Sequence, residues 1–430
     1  MRKQHLVIYT ALLAGSLWPL RSNGQQSTIP FQARGIITLS DADMAASTVA
    51  DGYLHKGKGT RDALTVISFP LDRSGQNIGQ ASVSNSSALY DKTLAITPNG
   101  RVAFVLEGHG PLNDSLTTLK NGLGDLPLSS KMFTVDLSIP GKPVVRYGFN
   151  VGNQPTAVVI NPQGNLLAVA SGEAGKEIRL VEVDNTGKPT RIVTAASPVD
   201  SARITNLIWH PGGRFIAYII GETQEIGLLK LSTDNARKPT LIPHGKPIKV
   251  GSLPATGRFT PDGNFLIVSD IKKNANAQGA GKGELFVVQL STDDAPGESK
   301  IISQVASGES AEALAISPDG STVVIANSNQ SYQPYSHSAA GKSSLSIYTL
   351  SKAGQLQLGN DYPFEGVMPQ SVEFDKSGNT LAVAVYEYLD YGDRKGAVEF
   401  WKVNKSDKPS LERLPAKITV NRGCHTIKVY

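Results

Sequence analysis

The sequence predicts an all-β fold, a seven-bladed β-propeller of four-stranded antiparallel blades whose ring closes by pairing the C-terminal strand with N-terminal strands. Three observations predict it: a strand-turn-strand phrase recurs six times, each copy is followed by a third alternating strand, and each chain end carries a fragment of one further unit. Repeats of this content with periods of about 40 to 50 residues mark propeller blades.

The phrase reads LAITPNGRVAFVL (94–106), VVINPQGNLLAVA (158–170), LIWHPGGRFIAYI (207–219), GRFTPDGNFLIVS (257–269), LAISPDGSTVVIA (314–326) and VEFDKSGNTLAVA (372–384). In most copies Pro presets the backbone angle at the first central turn position. The following Gly accepts the positive φ that a tight reversal needs. The third strands are KMFTVDLS (131–138), EIRLVEVD (177–184), EIGLLKLS (225–232), ELFVVQLS (284–291), SLSIYTLS (344–351) and AVEFWKVN (397–404), each followed by a Lys-Pro or Gly-rich turn and a weaker fourth strand. No amphipathic helical period separates the strands, which excludes a doubly wound α/β fold.

The seventh blade is split. GCHTIKVY (423–430) matches a first strand with nothing after it, whereas STVADG (47–52) and ALTVISFPLD (63–72) match second and third strands with no first. Joining the two ends leaves no open sheet edge. The expected organisation is a signal peptide at 1–24, a lead-in at 25–44 and one propeller domain at 45–430. Arg2 and Lys3 precede an apolar stretch from Leu6 to Leu20 and then a polar segment, the pattern of a secretory signal, so a periplasmic or secreted address is expected. No segment offers the roughly 20 apolar residues of a membrane span.

Cys424 is the only cysteine, so stability must come from packing rather than disulfides. A chain of roughly 400 mature residues buries enough apolar surface for that. The formal charge is +5, and loss of Arg2, Lys3 and Arg21 with the leader lowers it to about +2, too little to attract a polyanion. Nucleic acid is therefore excluded as a partner, and ring closure makes a monomer the expectation. The chain has no HExxH, paired-cysteine or haem-attachment pattern, and no cofactor is expected. It also lacks Gly-x-Ser-x-Gly and Gly-rich phosphate loops, which argues against a serine hydrolase or a nucleotide enzyme.

In such a ring the innermost strands line the central channel. The loops between second and third strands share one face with the connections between blades. Two of these loops are short (172–176 and 221–224) and five are long (51–62, 107–130, 270–283, 327–343 and 385–396), which places a small-molecule or glycan site on that face. Counting six positions back from the turn Pro, or its equivalent, gives one residue per blade at the channel mouth: Lys92, Thr156, Thr205, Ala255, Glu312, Gln370 and His425. The second-strand ends add Glu107, Glu173, Glu222, Asp270, Asn327 and Glu387. A solvated mouth is polar in any case, so the chemistry rests on particular pairings. Glu222, Glu312 or Glu107 would serve as a general base, with His425, Lys92 or Arg422 polarising a carbonyl or holding an anion. Gln370, His109, Asp270, Asn327 and Glu387 complete the expected binding surface. In YEYLDYGDRKG (386–396), Tyr388 and Arg394 read either as a surface for a sugar or partner protein or as a cap on the end of the ring.

The repeated Ser/Asn-Pro-Asp/Asn-Gly turn resembles the seven-bladed lactonase-like propellers, the group that includes bacterial 6-phosphogluconolactonase and relatives with YVTN-type repeats, from about residue 45 to Tyr430. That family commonly opens its inner strands with Gly-x-x-Pro-Arg or Pro-His. Here the Arg or His position holds Thr156, Thr205, Ala255, Glu312 and Gln370, and only His425 keeps the family's residue type. Glu222 in IIGETQEI aligns with the Glu of the family's Asn-Glu-Leu phrase, with Gly221 replacing the Asn. Most of the cationic cluster a phosphosugar needs is missing. The resemblance thus implies hydrolysis of a small non-phosphorylated sugar lactone or cyclic ester, with Glu222 activating water and His425 or Lys92 stabilising the oxyanion. The alternative is a non-catalytic propeller that recognises a glycan, peptide or partner protein over the long loops.

Overall fold

The computed structural model describes residues 29–57, 60–71, 75–198, 202–234, 236–271, 281–389 and 394–430. The expected signal peptide, and Asp390, Tyr391 and Asp393 of the tyrosine cluster, lie outside the described residues.

The repeated phrase forms a local turn with its own lock. In each copy the Gly N–H (Gly100, Gly164, Gly213, Gly263, Gly320 and Gly378) donates to the carbonyl three residues back, at 2.7 to 3.0 Å. These glycines sit at φ from +65° to +77°, where a Cβ would be strained. The side chain that opens the turn then accepts the N–H that starts the second strand: Thr97 from Val102 at 3.1 Å, Asn161 from Leu166 at 3.0 Å, Thr260 from Phe265 at 3.1 Å, Ser317 from Thr322 at 3.0 Å and Asp375 from Thr380 at 3.2 Å. In these five blades the hairpin register is therefore set by contacts within the turn itself.

Seven antiparallel sheets result, and the ring is complete. Blades 1 to 6 begin with the inner strands Leu94–Ile96, Pro155–Ile160, Asn206–Trp209, Pro254–Phe259, Ala311–Ile316 and Val367–Phe374. Their alternating apolar faces interleave with those of the next blade. Leu180 and Ala168 of blade 2, for instance, share a buried cluster with Leu207, Tyr218 and Leu229 of blade 3.

Blade 7 closes the ring in the order Cys424–Val429, Gly35–Ser40, Ala63–Ser68, Ile78–Ser82. The terminal strand is its innermost member, paired antiparallel with Gly35–Ser40, as the split-blade expectation required. One assignment is corrected. The second strand is Gly35–Ser40, within the expected lead-in, while STVADG contributes a short helix, Thr48–Asp51, ended by Gly52 at φ +74°. The connection from Ser40 to Ala63 thereby becomes a long excursion over the mouth face. It packs Met44 and Leu54 against Leu112, Leu119 and Leu126 of the long blade 1 loop, and Leu54 N–H donates to Thr117 O at 3.0 Å while Leu119 N–H donates to Gly52 O at 2.8 Å. The two longest insertions of adjacent blades form a small second core above the ring.

Candidate functional site at the channel mouth

The residues obtained by counting back from the turn share a backbone feature. In five blades the ladder between first and second strands skips one residue on the inner strand: Thr156, Ala255, Glu312, Gln370 and His425. Each is the extra residue of a β-bulge, the device that turns a side chain out of its pleat at a barrel rim. Two residues earlier the backbone is left-handed at Gln154 (φ +50°), Ser310 (φ +50°), Met368 (φ +49°) and Gly423 (φ +82°). The chain thus enters the inner strand through a kink that repeats from blade to blade.

Into this ring dips the connector from blade 7 to blade 1. Ser87–Thr93 forms two short 3-10 turns joined at Tyr90, whose φ of +56° and ψ of −144° are rare for a residue with a side chain. Its anchors are buried acids at the base of the 41–62 excursion. Asp41 Oδ2 accepts from the N–H and hydroxyl of Ser87, both at 2.9 Å, and Asp62 accepts from Ala42 N–H at 2.9 Å and Asn85 N–H at 3.2 Å. Burial, together with the neighbouring carboxylates, pushes Asp41 up to about 6 and Asp62 up to about 8. Lys92 Nζ reaches the Ala255 carbonyl at 3.3 Å, spanning the channel from blade 1 to blade 4.

Lys92, Glu312 and Tyr90 meet over the channel. The Tyr90 hydroxyl lies beside Glu312, and the Lys92 charge acts on the same carboxylate. Burial pushes Glu312 up to about 7 against the pull of Lys92 and Tyr90. Burial also lowers Lys92, against the attraction of Glu312 and Asp91 and with the help of Arg203. Tyr90 is driven well above its ordinary value by the Glu312 charge first and by burial second. Gln370, buried on the adjacent blade, keeps a carbonyl oxygen with no hydrogen-bond partner among the described residues. His109 is partly buried beside Arg203, its pKa lowered chiefly by burial. Arg203 and Tyr90 are the mouth residues that the sequence reading missed. A left-handed tyrosine in a linker has no sequence mark, and Arg203 lies just outside the counted position.

Below the mouth, four opposite charges brace the channel. Arg258 of blade 4 contacts Glu373 of blade 6 through both guanidinium nitrogens at 2.6 and 2.7 Å, and lies 3.5 Å from Asp91. Lys428 of blade 7 lies 3.2 Å from Glu373 and 3.8 Å from Asp91. The network borders a cavity of about 270 Å³ walled by inner strands of blades 1 to 4 and by Lys428.

Several expected site residues do other work. His425 is fully buried and bonds to Asn85 Oδ1 at 2.8 Å through Nε2, with Thr426 Oγ1 at 2.9 Å and Tyr90 O at 3.2 Å around Nδ1. Burial lowers it to about 4, so it is a neutral strut for the connector and not an exposed electrophile. Glu222 is solvent-exposed in the tight turn 221–224, and no contact brings it to His425. Arg422 clamps the excursion, donating to His55 O at 2.6 Å and Ala42 O at 3.0 Å. Asp270 accepts from Ser252 and Leu253 N–H at 2.7 and 2.8 Å, and Asn327 from Gly308 N–H at 3.1 Å. Both cap the entry to their own inner strand. Glu107 accepts from Ser129 Oγ at 2.5 Å. Tyr388 is buried, donates to Glu399 and lies under Lys417, whose Nζ is 3.8 Å from the ring centroid, so it presents no stacking face to a sugar. Glu387 and Arg394 line a separate pocket on the same face. Among the described residues, no three His, Cys, Asp or Glu side chains gather to hold a metal ion, and no helix is long and apolar enough to cross a membrane.

Residues 288–388 match the family model described as lactonase, 7-bladed beta-propeller. No curated protein matches the chain. Among solved structures, a protein of Bacteroides uniformis provisionally assigned as a 6-phosphogluconolactonase superposes with a TM-score of 0.59 at 15% identity, covering 92% of this chain and 100% of its own. The periplasmic gluconolactonase of Pseudomonas aeruginosa gives a TM-score of 0.59 at 14% identity, over 92% of this chain and 99% of its own. The chain thus has the seven-bladed propeller fold of these structures throughout, and residues 288–388, in blades 4 to 6, are similar in sequence to the lactonase propellers.

Proposed function

We propose that the channel mouth hydrolyses a small uncharged sugar lactone, with Glu312 as general base and Lys92 as the group that stabilises the oxyanion. The meeting of Glu312, Lys92 and Tyr90 at the centre of the ring carries this reading. A carboxyl pushed up to about 7 is poised to take a proton near neutral pH, which is where a general base is most effective. Glu312 would deprotonate a water that attacks the lactone carbonyl carbon, with the negative charge on the carbonyl oxygen turned toward Lys92. Collapse of the intermediate breaks the ring C–O bond, and the proton held by Glu312 passes to the departing alkoxide, leaving a hydroxy acid. The unpaired Gln370 oxygen would accept from a substrate hydroxyl. The names of the structural neighbours, a periplasmic gluconolactonase among them, agree with this reaction class, and the basic-then-apolar N-terminus supports export to the same kind of compartment. Among the described residues, Arg258 and Lys428 below the mouth are held by Glu373 and Asp91, which leaves Lys92 and Arg203 as the cations for a phosphate, so the uncharged lactone is preferred.

The test is acid release from a panel of aldonolactones by wild type, Glu312→Gln, Lys92→Met and Glu222→Gln. Loss of the base should lower kcat by about 100-fold or more and remove the rising limb of the pH profile near 7. Glu222→Gln should match wild type. Undiminished hydrolysis by Glu312→Gln would overturn the mechanism. No hydrolysis of any member of the panel would leave a binding propeller.

A further inference from the structure

A second pocket lies on the mouth face; neither Glu312 nor Lys92 lines it, although Tyr332 on its wall feels the Glu312 charge. The segment around Ala46, Ser47, Asp51 and His55 forms one wall, Tyr332, Gln333 and Pro334 of the blade 5 loop another, and Val367, Glu387, Leu389 and Arg394 of blade 6 the third. Its volume is about 300 Å³, at the small end of ligand pockets, which run from roughly 300 to 1,000 Å³.

Glu387 is the informative residue. Its side chain is 0% exposed. Oε1 accepts from Ala46 N–H at 3.0 Å, but Oε2 is buried without a hydrogen-bond partner among the described residues. Arg394 stands beside it with Nη1 3.8 Å from Oε1, too far for a hydrogen bond, and that nitrogen is also unpartnered among the described residues. A native fold rarely leaves a carboxylate oxygen and a guanidinium N–H both orphaned within one small pocket. The buried acceptor and the adjacent donor both await a third party.

The pair of charges selects its chemistry. An ammonium ligand would satisfy Glu387 but would meet Arg394, with Arg422 also acting on the same carboxylate. An anion would satisfy Arg394 but would be pressed against a desolvated carboxylate oxygen. A neutral ligand with neighbouring hydroxyls satisfies both, donating to Oε2 and accepting from Nη1. Tyr332, Val367 and Leu389 supply apolar surface for the C–H face of a ring.

We infer that this pocket binds a neutral polyol ring, a saccharide unit held by vicinal hydroxyls bridging Glu387 and Arg394. The inference stands apart from the hydrolytic reading, because none of its contacts involves Glu312 or Lys92.

The experiment is a binding titration by calorimetry, or by saturation-transfer NMR, using methyl hexopyranosides of gluco, galacto and manno configuration, with methylammonium and gluconate as charged comparators. The proteins are wild type, Glu387→Gln, Arg394→Met and Glu312→Gln. Arg394 is partly exposed and its replacement leaves the ring core untouched, so this variant tests the pocket even where Glu387→Gln folds poorly. At least one hexoside should bind, about tenfold or more weaker in Arg394→Met and in folded Glu387→Gln, as expected when a charge-assisted hydrogen bond is lost, and with unchanged affinity in Glu312→Gln. Three results would overturn the inference: no hexoside binding to wild type, binding insensitive to both pocket variants, or preference for either charged comparator. None of them bears on whether Glu312 drives hydrolysis.

Discussion

Replacing Ile427 with Ala tests whether the terminal strand carries the stability of the ring. Ile427 is fully buried in Cys424–Val429, opposite Thr38 of Gly35–Ser40. Its side chain joins Ile36 and Ile67 from the N-terminal strands to Ala384, Val398 and Phe400 of blade 6. Three buried carbons removed at about 0.8 kcal/mol each give a little over 2 kcal/mol, and an unrelaxed cavity at a junction of two blades brings the loss to about 3 to 4 kcal/mol. With an unfolding entropy of about 2.1 cal/mol/K per residue over roughly 400 residues, the melting point should fall by about 4 °C. Leu358→Ala is the comparison, since Leu358 is half exposed on an outer strand and should shift the melt by less than about 1 °C. Deleting 424–430 removes the whole inner strand and bares the edge of Gly35–Ser40 and the apolar face of blade 6 packed against it, so loss of the cooperative transition and self-association are expected. Calorimetric melts and size-exclusion chromatography read all three. An Ile427→Ala shift no larger than that of Leu358→Ala, or a truncated monomer melting within about 2 °C of wild type, would refute closure by this strand as a main source of stability.

Two further outcomes follow from the buried charges. Asp41, Asp62 and Glu312 titrate in the folded protein above their ordinary values, so between roughly pH 4 and 8 the native state holds protons that the unfolded chain has released, and stability falls as pH rises through that window. Melting points should therefore climb as pH is lowered from about 8.5 to 5.5, with a shallower slope in Asp62→Asn; a flat profile in wild type would contradict the burial of these acids. Arg258→Met should destabilise by about 3 kcal/mol, because it leaves Asp91 and Glu373 to Lys428 alone, and adding Glu373→Met should recover part of that loss, which a double-mutant cycle in denaturant would measure.

The parts of this molecule that were legible in the sequence are those fixed locally. The turn that locks each hairpin is written in a few consecutive residues, so counting back from it landed on the bulged positions, although nothing in the sequence announced a bulge at Glu312 or Gln370. The second strand of blade 7 was missed because GIITLS has no Pro-Gly turn before it, its first strand lying at the other end of the chain, and the excursion that follows separates it from its partner Ala63–Ser68. Tyr388 was misjudged for a different reason. Strand periodicity puts Tyr386 and Tyr388 on one face and Glu387 on the other, but it does not say which face looks into the pocket; the structure gives the pocket to Glu387 and the protein interior to the tyrosines. Long-range reach is invisible altogether, as when Lys92 crosses the ring to Ala255.

That crossing changes the meaning of the closing strand for the site. The strand brings His425 to the mouth, yet the imidazole is sealed behind Asn85 and Tyr90 and does its work through them. His425 donates to the Asn85 amide oxygen, the neighbouring Thr426 hydroxyl reaches the Tyr90 carbonyl at 3.3 Å, and together they fix the connector whose strained residue places its hydroxyl beside Glu312. Asp41 and Asp62 grip the same connector from the N-terminal excursion. The carboxylate proposed to do the chemistry is therefore set by a short linker that both chain ends hold in place. A propeller closed by a different pairing would keep Glu312 on its bulge but lose the group that orients it. The geometry of the mouth is in this sense a property of the closure and not of blade 5 alone.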